Sequence, residues 1–275
     1  MAIAYIILAF VVLFAHADKI VEIFQLIFSC AFNQNAAYGA VFGLAIQWGV
    51  KRGIFSNEAG QGTGAQASGA AEVSHPAKQG LVQAFSVYVD TLFVCSATAV
   101  MILATNAFNV ADPANAGGFI SQFLPGIEKS NFTQEAVNNV LPGFGGTFVA
   151  IALFFFTFST VLAYAFYADS SIAYLFKKDA SGPGYKYGII LTRVCVIATT
   201  FIGSVSSVDV VWNFGSAAVG AMAWFNIIVI VLLGKPGIAT LKDYEAQKKL
   251  GLDPVFIPSR CDIKDAELWD SIAAK

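Results

Sequence analysis

The sequence reads as an all-α integral membrane protein, and three observations carry that reading. Apolar residues fill 57% of its 275 positions, and Asp, Glu, Lys and Arg only 12%. Soluble domains carry about a quarter charged residues, and the mean hydropathy here is +0.67. The apolar positions fall in runs, several near the roughly 20 residues that a helix needs to cross a bilayer core. The Lys and Arg residues collect on one side of the arrangement those runs imply. A net charge of -2 leaves no footprint for nucleic acid. Cys30, Cys95, Cys195 and Cys261 form no C-x-x-C pair, so they read as small buried hydrophobes, not as a zinc or redox site.

Taken in order, residues 1–15 are apolar but short, with no basic flank or cleavage site to mark a leader. They read as the inner end of a span that begins upstream of Met1. After the turn at His16–Lys19, residues 20–32 are apolar and meet Asn33-Gln34-Asn35. A small-residue run to about Trp48 comes next, with Gly39 and Gly43 spaced for close helix contact. Residues 20–48 therefore read as one helix broken at the asparagines. Lys51 to His75 is polar and glycine-rich. Ser74-His75-Pro76 starts the next helix, with Ser74 as its cap and Pro76 in its first turn. That helix runs to about Ala104. Residues 106–146 are polar, with an amphipathic helix expected over 133–141. Further spans lie at 147–176, 188–203 and 208–234. Residues 1–234 thus form the transmembrane core and 235–275 a tail.

Counting basic residues orients these six spans. With Met1 inside, the cytoplasmic segments hold Lys51, Arg52, Lys78, Lys177, Lys178, Lys186, Arg193 and the seven Lys and Arg of the tail, fourteen of the sixteen. Only Lys19 and Lys129 fall outside. The positive-inside rule then places the tail in the cytoplasm of a cell-membrane protein.

Within this frame the segment Gly49-Val50-Lys51-Arg52-Gly53-Ile54-Phe55-Ser56-Asn57-Glu58-Ala59-Gly60-Gln61-Gly62 resembles the signature of the sodium:alanine (alanine or glycine:cation) symporter family. The resemblance continues through Pro76, Gln79-Gly80, Asp90-Thr91 and Phe156-Thr157-Phe158-Ser159-Thr160 to Pro254, Phe256, Pro258 and Trp269. It implies a LeuT-type, APC-superfamily fold of inverted repeats. No internal repeat is visible here, and family members are longer. The chain is therefore expected to be a C-terminal portion, its partner being the missing N-terminal helices of the same protein. Two departures stand out. Gly62-Thr63-Gly64-Ala65-Gln66 replaces the usual serine, alanine and proline, and Tyr164 stands where tryptophan is usual.

Four constellations carry candidate chemistry. A helix broken inside lipid leaves backbone groups able to hold a zwitterion or an ion. Phe28 and Phe32 then wall a side pocket beside Asn33, or else these residues form a kink and ordinary packing. In the run 156–160, Ser159 and Thr160 come three and four residues after Phe156. A helix places both hydroxyls beside the Phe156 carbonyl, three neutral oxygens suited to a hard monovalent cation. The bland alternative is back-bonding alone. The family resemblance implies half of a sodium site at Phe156, Ser159 and Thr160, with Thr160 and Tyr164 facing substrate one turn apart.

Asp90, roughly 21 Å along its helix at 1.5 Å per residue, is a carboxylate where burial in lipid is costly. It holds sodium, carries a proton or anchors helices, with Gln83 and Thr91 as expected hydrogen-bond partners. Asn57 and Glu58 close an inner exit, Glu58 pairing with Arg52, or simply cap a turn.

Taken together, these features predict symport of a small neutral amino acid, alanine or glycine, with sodium as the co-transported ion and no cofactor. Two alternatives stand beside it: a proton-coupled permease of the same fold with Asp90 as carrier, and a fragment without independent activity. An intramembrane enzyme needs a nucleophile–base pair or a metal trio at one depth. The spans offer no His and one mid-depth carboxylate, so no enzyme is expected.

Overall fold

The computed structural model describes residues 2–32, 38–111, 118–128, 131–176, 182–264 and 266–273. Helix dominates because the runs are apolar on every face and lipid offers the backbone no partner but itself. The first helix, α1, is Ala2–Ala15; a 3-10 turn at Ala17–Lys19 leads into α2, Ile20–Phe32. Helix α3 lies at Tyr38–Asn57, α4 at Thr63–Gly69 and α5 at Pro76–Val89. A π-helical turn, Asp90–Cys95, joins α5 to α6, Ser96–Ala104. A two-stranded antiparallel hairpin, β1 Asn109–Ala111 and β2 Phe119–Gln122, precedes α7 at Phe132–Val140. Then come α8 Gly145–Leu175, α9 Pro183–Val205 and α10 Val208–Lys249, and a 3-10 turn at Pro258–Cys261 leads to α11 at Glu267–Ala273.

Among the described residues four helices are long and apolar enough to cross a membrane: Pro76–Ala104, Gly145–Leu175, Pro183–Val205 and Val208–Lys249. These match four of the six expected spans. At 14 residues, α1 is as short as its sequence reads. The predicted break at Asn33 lies outside the described residues, with α2 ending before it and α3 beginning after it.

Three boundaries differ from expectation. Helix α3 continues through Lys51 and Arg52 to Asn57, because that stretch has no residue that forbids helix. Helix α9 starts at Pro183, whose ring suits the first helical turn. Helix α10 does not close at Gly234: it runs on for 42 residues in all, past Pro236. That is roughly 63 Å at 1.5 Å per residue, about twice a bilayer's hydrocarbon thickness. The missing N–H of Pro236 forfeits one helical bond, while Thr240 donates its hydroxyl to the Pro236 carbonyl at 2.9 Å.

The chain divides into two compact units. In the first, residues 1–50 and 89–164, the core gathers Leu8, Ala9 and Val12 of α1 with Met101 and with Ala136 and Val137 of α7. The amphipathic α7 lies where its sequence pattern predicts, its apolar face in that core. Helix α8 begins beneath it. The Asn138 side chain accepts the Gly145 N–H at 2.8 Å, and a side chain at Gly145 would run into the Gln134 carbonyl. In the second unit, residues 51–88 and 165–275, Gly184 and Gly188 of α9 admit Phe176 and Ile172 so closely that added Cβ atoms would sit 2.9 and 3.0 Å from them. Small residues let helix backbones approach in this way.

Candidate functional site

Helix α8 carries the first cluster. Ser159 donates its hydroxyl to the Phe156 carbonyl at 2.9 Å and Thr160 donates to the same oxygen at 2.8 Å. The three oxygens converge as their spacing predicts, and each hydroxyl oxygen keeps lone pairs facing away from the bond it donates. Both side chains are exposed within the chain, and Tyr164, one turn on, is 38% exposed. Sequence reasoning missed Tyr5, which ties α1 to this helix. Its hydroxyl lies 2.7 Å from Thr98 Oγ1, and its ring meets Phe156 edge-on at 6.3 Å and stacks with Phe148 at 6.2 Å. The signal for it was a single phenol in an apolar run, which needs a partner when buried.

The second cluster is the π-turn that opens at Asp90. A π-turn brings residues five apart into register, which an α-helix does not. Here it places the Cys95 thiol 3.7 Å from Asp90 Oδ2 and lets Ser96 donate to the Thr91 carbonyl at 2.9 Å. The signal was two polar pairs, Asp90-Thr91 and Cys95-Ser96, five apart in an apolar run. Gln83, expected beside Asp90, instead donates to the Gly64 carbonyl at 3.4 Å. Cys95 and Cys195 are exposed, against the expectation of buried cysteines, while Cys261 is buried.

The third cluster lies just past α3. Glu58 takes a left-handed conformation at φ 53°, and Gly60 and Gly62 take φ 89° and 91°. Glu58 caps this turn by accepting the Thr63 hydroxyl at 2.7 Å, and Gln61 donates to the Ile54 carbonyl at 2.7 Å. The guanidinium of Arg52, the expected partner of Glu58, lies 4.8 Å over the Trp212 ring. Gly62 backs onto α10 so closely that an added Cβ would sit 3.1 Å from Asn226 Oδ1. Asn57 is the last residue of α3. A left-handed Glu is an outlier of the kind that clusters at functional sites.

The remaining predicted residues are Phe28, Phe32 and Asn33. Phe28 is 60% exposed on α2. Phe32 ends the described part of that helix, its side chain beyond description, and Asn33 lies outside the described residues.

The model of the sodium:alanine symporter family matches residues 1–258. The chain belongs to the sodium:alanine symporter family. YrbD of Bacillus subtilis (strain 168) is 52% identical over 271 residues, which are 98% of this chain and 55% of that protein. The sodium/proton-dependent alanine carrier protein of Bacillus sp. (strain PS3) is 45% identical over 272 residues, 98% of this chain and 60% of the relative. The sodium/alanine symporter AgcS of Methanococcus maripaludis is 36% identical over 249 residues, 90% of this chain and 51% of the relative. The chain thus spans about half the length of the curated relatives it matches. A family match from residue 1 lends nothing by itself to the expectation of helices preceding Met1.

In this symporter-family chain the start of α5 is also a cluster. His75 is wholly buried, and its Nδ1 accepts the Ala77 N–H at 3.1 Å. The cap expected of Ser74 therefore comes from the imidazole. An accepting Nδ1 leaves the proton on Nε2, which points at Asp243 Oδ2 at 3.3 Å. Ser74 instead donates to the Pro254 carbonyl at 2.9 Å. The tail beyond α10 is folded back onto α5 and α10.

Proposed function

We propose that this chain serves sodium-coupled symport of a small neutral amino acid, with alanine the first candidate. The observation that carries the proposal is the pair of hydroxyls, Ser159 and Thr160, gathered on one carbonyl of an apolar helix in a chain of this family. In this reading Phe156, Ser159 and Thr160 supply oxygens to sodium, the transported ion. Rotating either hydroxyl off the carbonyl leaves a carbonyl lone pair and the side-chain oxygens free to meet the cation without moving the helix backbone. Phe28, Phe32, Asn33, Thr160 and Tyr164 border the amino acid, and the smaller, hydroxylated Tyr164 leaves more room than a tryptophan.

Asn57 and Glu58 gate the inner exit. The left-handed Glu58 and the two left-handed glycines beside it support a turn that changes shape. A LeuT-type inverted-repeat fold and a tail on the cytoplasmic face belong to the same reading. Binding at a helix break near the membrane midplane, with alternating access around it, is the general scheme.

A second reading has a specific observation behind it. Asp90 sits in a π-turn with a thiol at its side, and relatives bear the name sodium/proton-dependent carrier. In that reading Asp90 carries a proton. The two separate by uptake of labelled alanine into proteoliposomes at fixed pH, with an inward sodium gradient or with choline in its place. Sodium-driven accumulation is the expected result. Equal uptake in choline that collapses with a protonophore would replace sodium by the proton, and no uptake under either gradient would leave the chain without independent transport.

A further inference from the structure

Past the end of α10 the chain turns back and is fastened at one place. The Gln247 amide donates to the Val255 carbonyl at 3.0 Å and accepts the Val255 N–H at 3.0 Å, and it also donates to Asp243 at 2.7 Å. Ser74 donates to the Pro254 carbonyl, and its own carbonyl accepts the Phe256 N–H at 2.9 Å. Lys78 adds a 2.6 Å ion pair to Asp253. Pro254 and His75 are fully buried at this point, and the Phe256 ring meets His75 edge-on at 5.3 Å.

Beyond it the packing changes character. Phe256, Ile263 and Trp269 face Gly80 and Leu81 of α5 and Leu241 of α10 across an apolar cavity of about 620 Å³. Pro258 and Cys261 are buried beside this cavity, so the segment is held by directional bonds at one end and by a few buried side chains beyond it.

We propose that residues 250–263 form a latch that opens and closes as one piece, fastened by Gln247 and by Ser74–His75, and that Cys261 is shielded only while the latch is shut. Shut, it ties the first turn of α5, where the span Pro76–Ala104 begins, to the last turns of α10, which extends the span beginning at Val208. Open, it exposes the apolar cavity and frees those ends from each other. The latch does not depend on what the chain transports. Burial pushes the Cys261 thiol above its ordinary value and the charge of Asp243 adds to this. The shut latch thus slows thiol chemistry both by access and by ionisation.

The test is site-resolved maleimide labelling of the full chain in detergent at neutral pH, without substrate, with helicity followed by circular dichroism. Gln247→Ala should raise the Cys261 labelling rate at least about ten-fold with helicity unchanged, and Ser74→Ala should raise it about five-fold, each polar contact being worth about a kcal/mol. Wild-type rates in both variants would overturn the latch. So would loss of helicity together with exposure of Cys261, since the tail would then be an inseparable part of the helix fold.

Discussion

At the residue scale, Ser159 and Thr160 illustrate how one geometry serves two roles. Back-bonding to Phe156 satisfies each hydroxyl inside lipid, and the same arrangement gathers oxygens where a cation can use them. Ser159→Ala or Thr160→Ala should raise the sodium concentration for half-maximal alanine uptake about ten-fold, since a hydrogen-bond-strength contact to a charged group is worth about 1.5–3 kcal/mol. The fold should survive, because a mid-helix back-bond adds little stability. A sodium titration of uptake reads this, and an unchanged half-saturation in both variants rules out the assignment.

Gly60 and Gly62 make a second comparison at this scale. Both have positive φ, but only Gly62 faces Asn226, whereas space at Gly60 is open. Gly60→Ala should cost about 1 kcal/mol for backbone strain alone. Gly62→Ala should cost about 2–3 kcal/mol, because overpacking adds to that strain. Thermal unfolding of the two variants orders them. The Gly-rich signature was legible in the sequence, but which glycine is crowded depends on a side chain 164 positions away in the chain.

At the scale of elements, the π-turn at Asp90–Cys95 is the clearest case of structure adding to sequence. An apolar run with two polar pairs reads as plain helix by composition. The turn with its extra residue lies against α1, with Ile6 and Ala9 facing Leu92 and Phe93 around a cavity of about 160 Å³. Deleting Leu92 should restore α-helical spacing and rotate Asp90 by about 100° relative to α6, at 3.6 residues per turn. If Asp90 takes part in coupling, the deletion abolishes gradient-driven alanine uptake while the chain stays helical. Retained uptake would reduce the turn to a packing feature. The caps show the same limit. Ser74 before Pro76 reads as the cap of α5, yet His75 does that work, because Ser74 is claimed by the tail.

At the scale of the whole chain, the tail answers to pH in a defined direction. Lys78 holds the Asp253 carboxyl below its ordinary 3.8, by hydrogen bond first and charge second. A carboxyl lowered in this way stabilises the folded tail above about pH 4, and loses that contribution as pH falls through the depressed value. The pair is exposed, so the effect is small. Trp269, set edge-on to Phe256 at 5.2 Å, should hold its emission from pH 7 to about 4 and shift below that. Lys78→Met should remove this acid step and leave the rest of the curve in place.

By itself the sequence determined the membrane class, four long spans, the amphipathic α7, the family, and the convergence of Ser159 and Thr160 on Phe156. Each of these rests on local spacing or composition, since a helix fixes which residues lie together three or four positions apart. Tertiary structure decided the π-turn beside Asp90, the partners of Gln83, Glu58 and Arg52, the continuation of α10 past Pro236, and the fastening of the tail. Those depend on competition for the same hydrogen bonds and the same space, much of it between residues far apart in the chain, and no local pattern records which of them wins.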